Sequence, residues 1–351
     1  MKKKVVIFVQ DGVGGAERMS ILIGKNLDKD IYNVCFCLIG TSAESSISDF
    51  IPKDMKVYKI GFHNPIYLMW KMLLFILKEH PFAIFSSVYN LSNKFLPFRK
   101  FYPYTRVIIR CDNYLFTYSR KQRTIIEKFY GNADHIIAQT KEMKDELLKI
   151  GIDAAKIVVL LNPVDKQIIS KKIDGAPNPY SQNGMKHIVA VGRFNPQKGF
   201  DLLVDAFIEL RNHREDADLT IVGDTSIGNG VLYKEIMKKA HSAGLEKDIK
   251  CVGYKDNPYV YLKYADCFVL SSRYEGLPNV LIEALYLGTP VAAFKCIPII
   301  EQIIEEGKTG FCAEKENVYS LESAMVNSLK LGRVVSKYKS ATIEDFTKLF
   351  K

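Results

Sequence analysis

The sequence has no Cys-x-x-Cys pair and no spaced pair of histidines among its six. Its seven cysteines (Cys35, Cys37, Cys111, Cys251, Cys267, Cys296 and Cys312) are scattered, mostly within apolar runs. Neither a zinc ribbon nor a disulfide framework fits that spacing. Cys35 and Cys37 fall on one face of a strand, where buried reduced thiols are expected, and a reducing cytoplasm follows from that. Long hydrophobic runs are also missing. The stretch from Ile66 to Leu77 is too short to span a bilayer and carries Lys71 in its middle. The apolar run Val5–Val9 behind Met1-Lys-Lys-Lys is too short for a signal peptide, stops at Gln10-Asp11 and has no small-residue cleavage site. It reads as a first strand. No internal repeat at a solenoid period is visible. The glycines of Gly12-x-Gly14-Gly15 lack the third glycine of the dinucleotide fingerprint, and no acidic residue closes a second strand at the required distance. A nicotinamide dehydrogenase is excluded on that ground.

What is present suits an enzyme of two domains. The chain has 351 residues, 48% apolar and 25% charged, more than one core usually holds. Strand-like runs cover Lys4–Val9, Val34–Ile39, Ala83–Ser87, Arg106–Arg110 and His135–Gln139. A second set covers His187–Val191, Leu219–Val222, Ile249–Val252, Cys267–Leu270 and Pro290–Ala293. Amphipathic segments such as Ala16–Leu27, Lys141–Ile150, Gly199–Arg211 and Asn279–Leu287 lie between them. This alternation predicts an α/β chain with two parallel, helix-covered sheets. Expected bounds are 1–165 for the first domain, 166–185 for a linker centred on the turn-rich Asp174–Gly184, and 186–335 for the second. A helical tail, 336–351, is expected to rejoin the first domain.

The net charge of +10 is uneven. Residues 1–163 hold 24 Lys/Arg against 15 Asp/Glu, whereas residues 164–351 hold 25 against 24. Most of the surplus lies in residues 94–123. There Lys94, Arg99, Lys100, Arg106, Arg110, Arg120, Lys121 and Arg123 face the single Asp112 and interleave with aromatics. Cations mixed with amphipathic aromatics suit an anionic headgroup interface. A plain basic surface over core aromatics is the simpler alternative. No nucleic-acid-binding motif accompanies the patch, so a nucleic-acid partner is not expected.

Two segments of the second half carry chemistry. After the strand ending at Leu270, a polar loop leads through Glu275, Gly276, Leu277 and Pro278 into a helix at Asn279 and Val280. Pro278 suits the first helical turn, and the N–H groups there, aided by the helix dipole, can face a phosphate. Glu275 and Glu283, eight apart, can hold hydroxyls at the two ends of one ligand. By spacing alone they are equally a loop charge and a solvated helix residue. The second segment, Gly192-Arg193-Phe-Asn-Pro-Gln-Lys198-Gly199, follows a strand and places two cations where a diphosphate can meet them.

Together with Gly14-Gly15-Ala16-Glu17-Arg18, these segments resemble the retaining family-4 glycosyltransferases of the two-Rossmann-domain (GT-B) type. The resemblance covers most of the chain and implies two Rossmann-like domains facing a central cleft. It also implies a nucleotide-sugar donor, UDP-linked as the first expectation, held mainly by the second domain. Arg193 and Lys198 would then clamp the diphosphate, Glu283 the ribose, Glu275 the donor sugar near its reacting carbon, and Tyr254 the nucleobase. Gly14 and Gly15 would face the donor phosphates. Neither metal nor cofactor is implied, and Asp216-Ala-Asp218 precedes a strand, the wrong end for a metal site. The sequence departs from the family at Arg110-Cys-Asp-Asn113, where many members carry a histidine. Arg110, Asn113 and His63 remain candidate acceptor contacts. The acceptor expected is a growing, lipid-linked glycan at the inner face of the plasma membrane. A sugar-nucleotide epimerase of the same fold is an alternative that the sparse histidines oppose. A non-catalytic nucleotide-sugar-binding module is kept alive by the changed Arg110–Asn113 segment.

Overall fold

A computed structural model describes residues 2–12, 14–40, 47–180, 184–213 and 216–351. The chain divides into two compact units, Met1–Pro163 with Ser340–Lys351, and Val164–Lys339.

The first unit contains β1 (Lys3–Gln10), α1 (Gly15–Lys25), β2 (Tyr32–Gly40), β3 (Lys56–Gly61), α2 (Pro65–Glu79), β4 (Ala83–Ser86), α3 (Tyr89–Phe95), β5 (Arg106–Arg110), α4 (Arg120–Phe129), β6 (His135–Ala138), α5 (Lys141–Lys149) and β7 (Ile157–Val159). Its strands form one parallel sheet in the order β3-β2-β1-β4-β5-β6-β7. β1 and β2 read as unbroken apolar runs because helices cover both of the sheet's faces. Alternation divides β1: Val5, Ile7 and Val9 join the core under α1, while Phe8 packs against Phe75 of α2 and Phe95 of α3. Gly24 lets α1 lie close, since a Cβ there would stand 2.4 Å from Ile7 Cδ1 and 2.7 Å from Phe36 Cζ.

The second unit contains α6 (Lys166–Ile173), β8 (Lys186–Val191), α7 (Phe200–Asn212), β9 (Ala217–Val222), α8 (Val231–Ser242), β10 (Ile249–Cys251), α9 (Tyr259–Tyr264), β11 (Cys267–Leu270), α10 (Asn279–Tyr286), β12 (Val291–Phe294), α11 (Ile300–Ile303), β13 (Gly310–Ala313) and α12 (Val318–Leu329). Its parallel sheet runs β10-β9-β8-β11-β12-β13. A last helix, α13 (Ile343–Thr347), belongs to the first unit, where Phe346 and Phe350 enter the core beside Val5 and Ile7. The Tyr32 hydroxyl donates to the Phe350 carbonyl at 3.0 Å.

Several expected elements differ. Within the expected linker 166–185, residues 181–183 lie outside the described residues, and 166–180 are not a linker: Asp165 caps α6 by accepting the Ile168 N–H at 3.1 Å, and Ile169 is buried. Asn257 donates to the Lys172 carbonyl, and Tyr180 stacks on His187, so this stretch packs into the second unit. The tail is not one helix from 336. Gly332 takes a left-handed φ of 65° after α12, and no helix resumes before Ile343. Three strands had no clear signal in the sequence. β3 is an exposed edge with two lysines, β7 has three residues, and β13 opens on Gly310, whose Cβ would lie 2.0 Å from the Val291 carbonyl. Among the described residues no helix is long and apolar enough to cross a membrane.

Candidate active site

In each unit the strand order reverses once, between β1 and β4 and between β8 and β11. Open α/β sheets bind ligands outside the carboxyl ends of strands at such a reversal. In the second unit the two loops at that point are the Gly192–Gly199 loop after β8 and the Ser271–Pro278 loop after β11.

These loops are tied together by hydrogen bonds. Ser271 Oγ donates to the Lys198 carbonyl at 2.8 Å, and the Arg273 N–H donates to the Gln197 carbonyl at 2.8 Å. Gln197 Nε2 donates to the Tyr274 carbonyl at 3.0 Å, while Arg273 grips Asp201 of α7 with both terminal nitrogens, at 2.9 and 2.6 Å. Gly199 makes the approach possible. Its φ of 61° is left-handed, and a Cβ would stand 2.1 Å from the Ser271 carbonyl oxygen. Gly223, after β9, is equally tight against the Gly192 carbonyl, at 1.8 Å from where its Cβ would be.

Inside this frame Lys198 Nζ lies 2.6 Å from Glu275 Oε1, which also accepts the Ser272 hydroxyl at 2.6 Å. Glu275 is only 7% exposed. A buried carboxylate needs such partners, since removing one would leave an uncompensated charge. Arg193 is exposed on the same loop and makes no ion pair among the described residues. Gly276, Leu277 and Pro278 are buried beside Glu275. Pro278 is the N-cap of α10, at ψ 91°, and does not lie within its first turn as the sequence suggested. The N-cap Pro278 makes no side-chain cap hydrogen bond, and the positive end of the α10 dipole lies at the Ser271–Pro278 loop. Asn279 and Val280, the first two residues of α10, are half-buried. Glu283, one turn on, is half-buried too, with the Tyr259 hydroxyl 3.5 Å from Oε1. Tyr254 is exposed behind Gly253, at the carboxyl end of β10.

In the first unit Gly14 is the N-cap of α1 and Gly15 its first residue, at the carboxyl end of β1. The neighbouring loop after β4 is joined to α1 by a 2.8 Å hydrogen bond from Ser20 to Ser87. Arg110 does not line an open pocket. It is 3% exposed, and its Nη2 donates to Gln139 Oε1 and Asn162 Oδ1, each at 2.5 Å. Burial lowers the guanidinium to about 10. Asp112 is more accessible and accepts the Tyr118 hydroxyl at 2.6 Å and the Tyr89 N–H at 3.3 Å. Burial raises its carboxyl above the usual range, against the pull of those donors and of Arg110. The adjacent Cys111 thiol is pushed up to about 12, also by burial, which makes it a poor nucleophile. Asn113 is half-buried next to it. His63 is exposed with its ring edge-on to Tyr67, after the edge strand β3, two strands from the reversal.

The basic stretch 94–123 is also less free than its composition suggested. Arg99 pairs with Asp134 and donates to the Tyr102 carbonyl. Arg106 donates to the Leu349 and Lys351 carbonyls, and burial lowers the Lys94 ammonium. Lys100, Arg120, Lys121 and Arg123 are exposed. In the second unit Asp218 is buried in β9 between His187 and Lys250, at 2.8 and 3.3 Å. A second Asp-x-Asp, Asp28-Lys-Asp30, precedes β2.

Two parallel sheets, each with one reversal of strand order, define a chain of two Rossmann-like units. Residues 13–168 match the family "Glycosyltransferase Family 4", and residues 177–344 match "Glycosyl transferases group 1". The chain belongs to these GT-B glycosyltransferases. An uncharacterised glycosyltransferase of Haemophilus influenzae is 25% identical over 98% of this chain and 96% of its own. The N-acetylgalactosamine-N,N'-diacetylbacillosaminyl-diphospho-undecaprenol 4-alpha-N-acetylgalactosaminyltransferase of Campylobacter jejuni is 27% identical over 62% of this chain and 56% of its own. Some relatives, this one among them, are matched over only about half their length. Among solved structures, Anabaena Alr3699/HepE in complex with UDP-glucose superposes with a TM-score of 0.73, at 19% identity over 94% of this chain and 93% of that one.

Proposed function

We propose that the protein is a retaining glycosyltransferase that moves a hexose or N-acetylhexosamine from a UDP-sugar onto a growing, lipid-linked cell-surface glycan. The observation that carries this reading is the Lys198–Glu275 pair, fixed by Ser272 at the β8/β11 reversal beside the start of α10. Arg193 and Lys198 neutralise the diphosphate as it leaves, in place of a metal ion. Glu275 meets the donor sugar, Glu283 the ribose and Tyr254 the base. In the reaction the bond from the anomeric carbon to the diphosphate breaks, and a bond to the acceptor hydroxyl forms on the same sugar face. The hydroxyl proton passes to a diphosphate oxygen, so the missing histidine at 110–113 does not stop turnover.

The UDP complex of the Anabaena protein supports the donor class. The diphospho-undecaprenol in the Campylobacter enzyme's name supports a lipid-linked acceptor. The cationic surplus of residues 1–163 supports a place at the anionic, cytoplasmic face of the plasma membrane.

A thermal-shift series with UDP, GDP, ADP and their sugars, with and without EDTA, tests the donor site. A UDP-selective rise that EDTA leaves intact is the expected result. Lys198→Ala should lose that rise, and Lys198→Ala and Glu275→Ala should each abolish transfer while keeping the wild-type circular dichroism spectrum. Full activity in either variant would remove the assignment.

A further inference from the structure

The sequence's most apolar stretch forms α2, a helix set firmly by its ends. Asn64 caps it by accepting the Tyr67 N–H at 2.9 Å, Pro65 opens it, and His80 closes it in a left-handed turn. A helix apolar on all sides normally lies inside a protein. α2 buries only one side, through Leu68, Met72, Leu73 and Ile76. On the other side Ile66, Trp70 and Leu74 are 68%, 56% and 57% exposed. At four-residue intervals these three lie within an arc of roughly 80°. The patch extends beyond the helix, because Trp70 packs at 5.9 Å on Phe98, which packs at 6.4 Å on the exposed Phe101. Lys71 and Lys78 flank the stripe, and Lys100 lies over the Phe101 ring. The one acid of α2, Glu79, is held by Lys4 at 2.9 Å and by the Tyr58 hydroxyl at 2.7 Å, and so does not offset these lysines.

We infer that α2 and the turn at Phe98–Phe101 form the face by which the first unit lies on an anionic phospholipid bilayer. Trp70, Ile66 and Leu74 enter the headgroup–acyl boundary, and Lys71, Lys78 and Lys100 reach the phosphates. Exposed apolar side chains in a row, bordered by cations without compensating acids, complement a negatively charged interface. A second copy of the chain fits less well, since a twofold contact would bring the same lysines together. The inference rests on the membrane placement proposed above and names the surface that achieves it. It is centred on α2 and shares only Phe98–Phe101 and Lys100 with the basic stretch 94–123, whose other cations are partly or fully buried, paired or on α4.

Trp70 is the chain's single tryptophan, so its emission reports directly on this face. The full chain is mixed with vesicles of phosphatidylcholine alone or with phosphatidylglycerol, and both sedimentation and tryptophan emission are recorded. Expected are binding to the anionic vesicles, a blue shift, and quenching by lipids brominated along the acyl chain. Ile66→Glu and Leu74→Glu should each lower vesicle partition roughly tenfold or more, with the circular dichroism spectrum unchanged. Binding with an unshifted emission, insensitive to both variants, would overturn this face and leave the membrane reading intact. Failure of the wild type to bind anionic vesicles would overturn both. A blue shift on concentrating the protein without lipid would assign the face to a second copy instead.

Discussion

Gly199 stands where two loops must nearly touch, and replacing it with alanine separates two costs that usually come together. The first is conformational: a non-glycine residue in the left-handed region loses about 1–2 kcal/mol, offset by about 0.4–1 kcal/mol from the stiffer unfolded chain. The second is steric. A Cβ placed 2.1 Å from the Ser271 oxygen must push a backbone carbonyl away, and that carbonyl belongs to a loop held by the Ser271–Lys198 and Arg273–Gln197 hydrogen bonds. Overpacking of this kind costs about 1–3 kcal/mol. The sum is about 2–4 kcal/mol, on the order of 10 °C in the melting temperature of a unit this size. Gly175 supplies the control: its φ of 62° matches, but nothing lies within 4 Å of its Cβ position. Gly175→Ala should therefore lower the melting temperature by less than about 4 °C. Calorimetry on the full chain measures both, and nucleotide-induced stabilisation should also disappear in Gly199→Ala. Equal drops for the two variants would show that the Ser271 carbonyl is not an obstacle, and the account of the paired loops would fail.

Other outcomes follow from the first unit. Phe350→Ala removes a ring packed 6.1 Å from Phe85 in a closed core, and should cost about 3–5 kcal/mol. Its calorimetric effect should fall on a different transition from that of Gly199→Ala; a negligible shift would mean the tail is not part of the core. Asp112→Asn keeps an oxygen to accept from Tyr118 and Tyr89 but removes a charge that burial disfavours. Because the folded carboxyl titrates above its unfolded value, its penalty is absent below the unfolded range and complete above the folded one. The variant should therefore melt at or above wild type at pH 8, with the advantage vanishing on acidification. A large loss at pH 8 would show that the charge itself is needed, with Arg110 its evident partner.

The periodicity of the chain was enough to show both sheets, because five strands of each are short runs rich in apolar residues between helix-like segments. It was silent on β3, whose lysines and half-exposed face look like a loop, and on β7 and β13, where neighbours supply the pairing that the residues do not announce. The loop sequences pointed to Lys198 and Glu275, but not to Ser272 or to the grip of Arg273 on Asp201. Those bonds join residues 3 and 72 positions apart, and only the folded sheet brings the distant pair together. Arg110 shows the opposite limit. An arginine at a strand end reads as a ligand contact, whereas here the ends of β6 and β7 offer Gln139 and Asn162 and draw it inward.

The return of residues 340–351 to the first unit also has a consequence for synthesis. Phe346 and Phe350 leave the ribosome only after Val164–Lys339 has been made, a delay on the order of ten seconds or more at typical elongation rates. Until then the sheet begun at Lys3 has an open apolar face, while the second unit already has every residue it needs. The half of the protein translated first is therefore the half completed last, and a nascent chain is most in need of chaperone cover on the α1 side of that sheet.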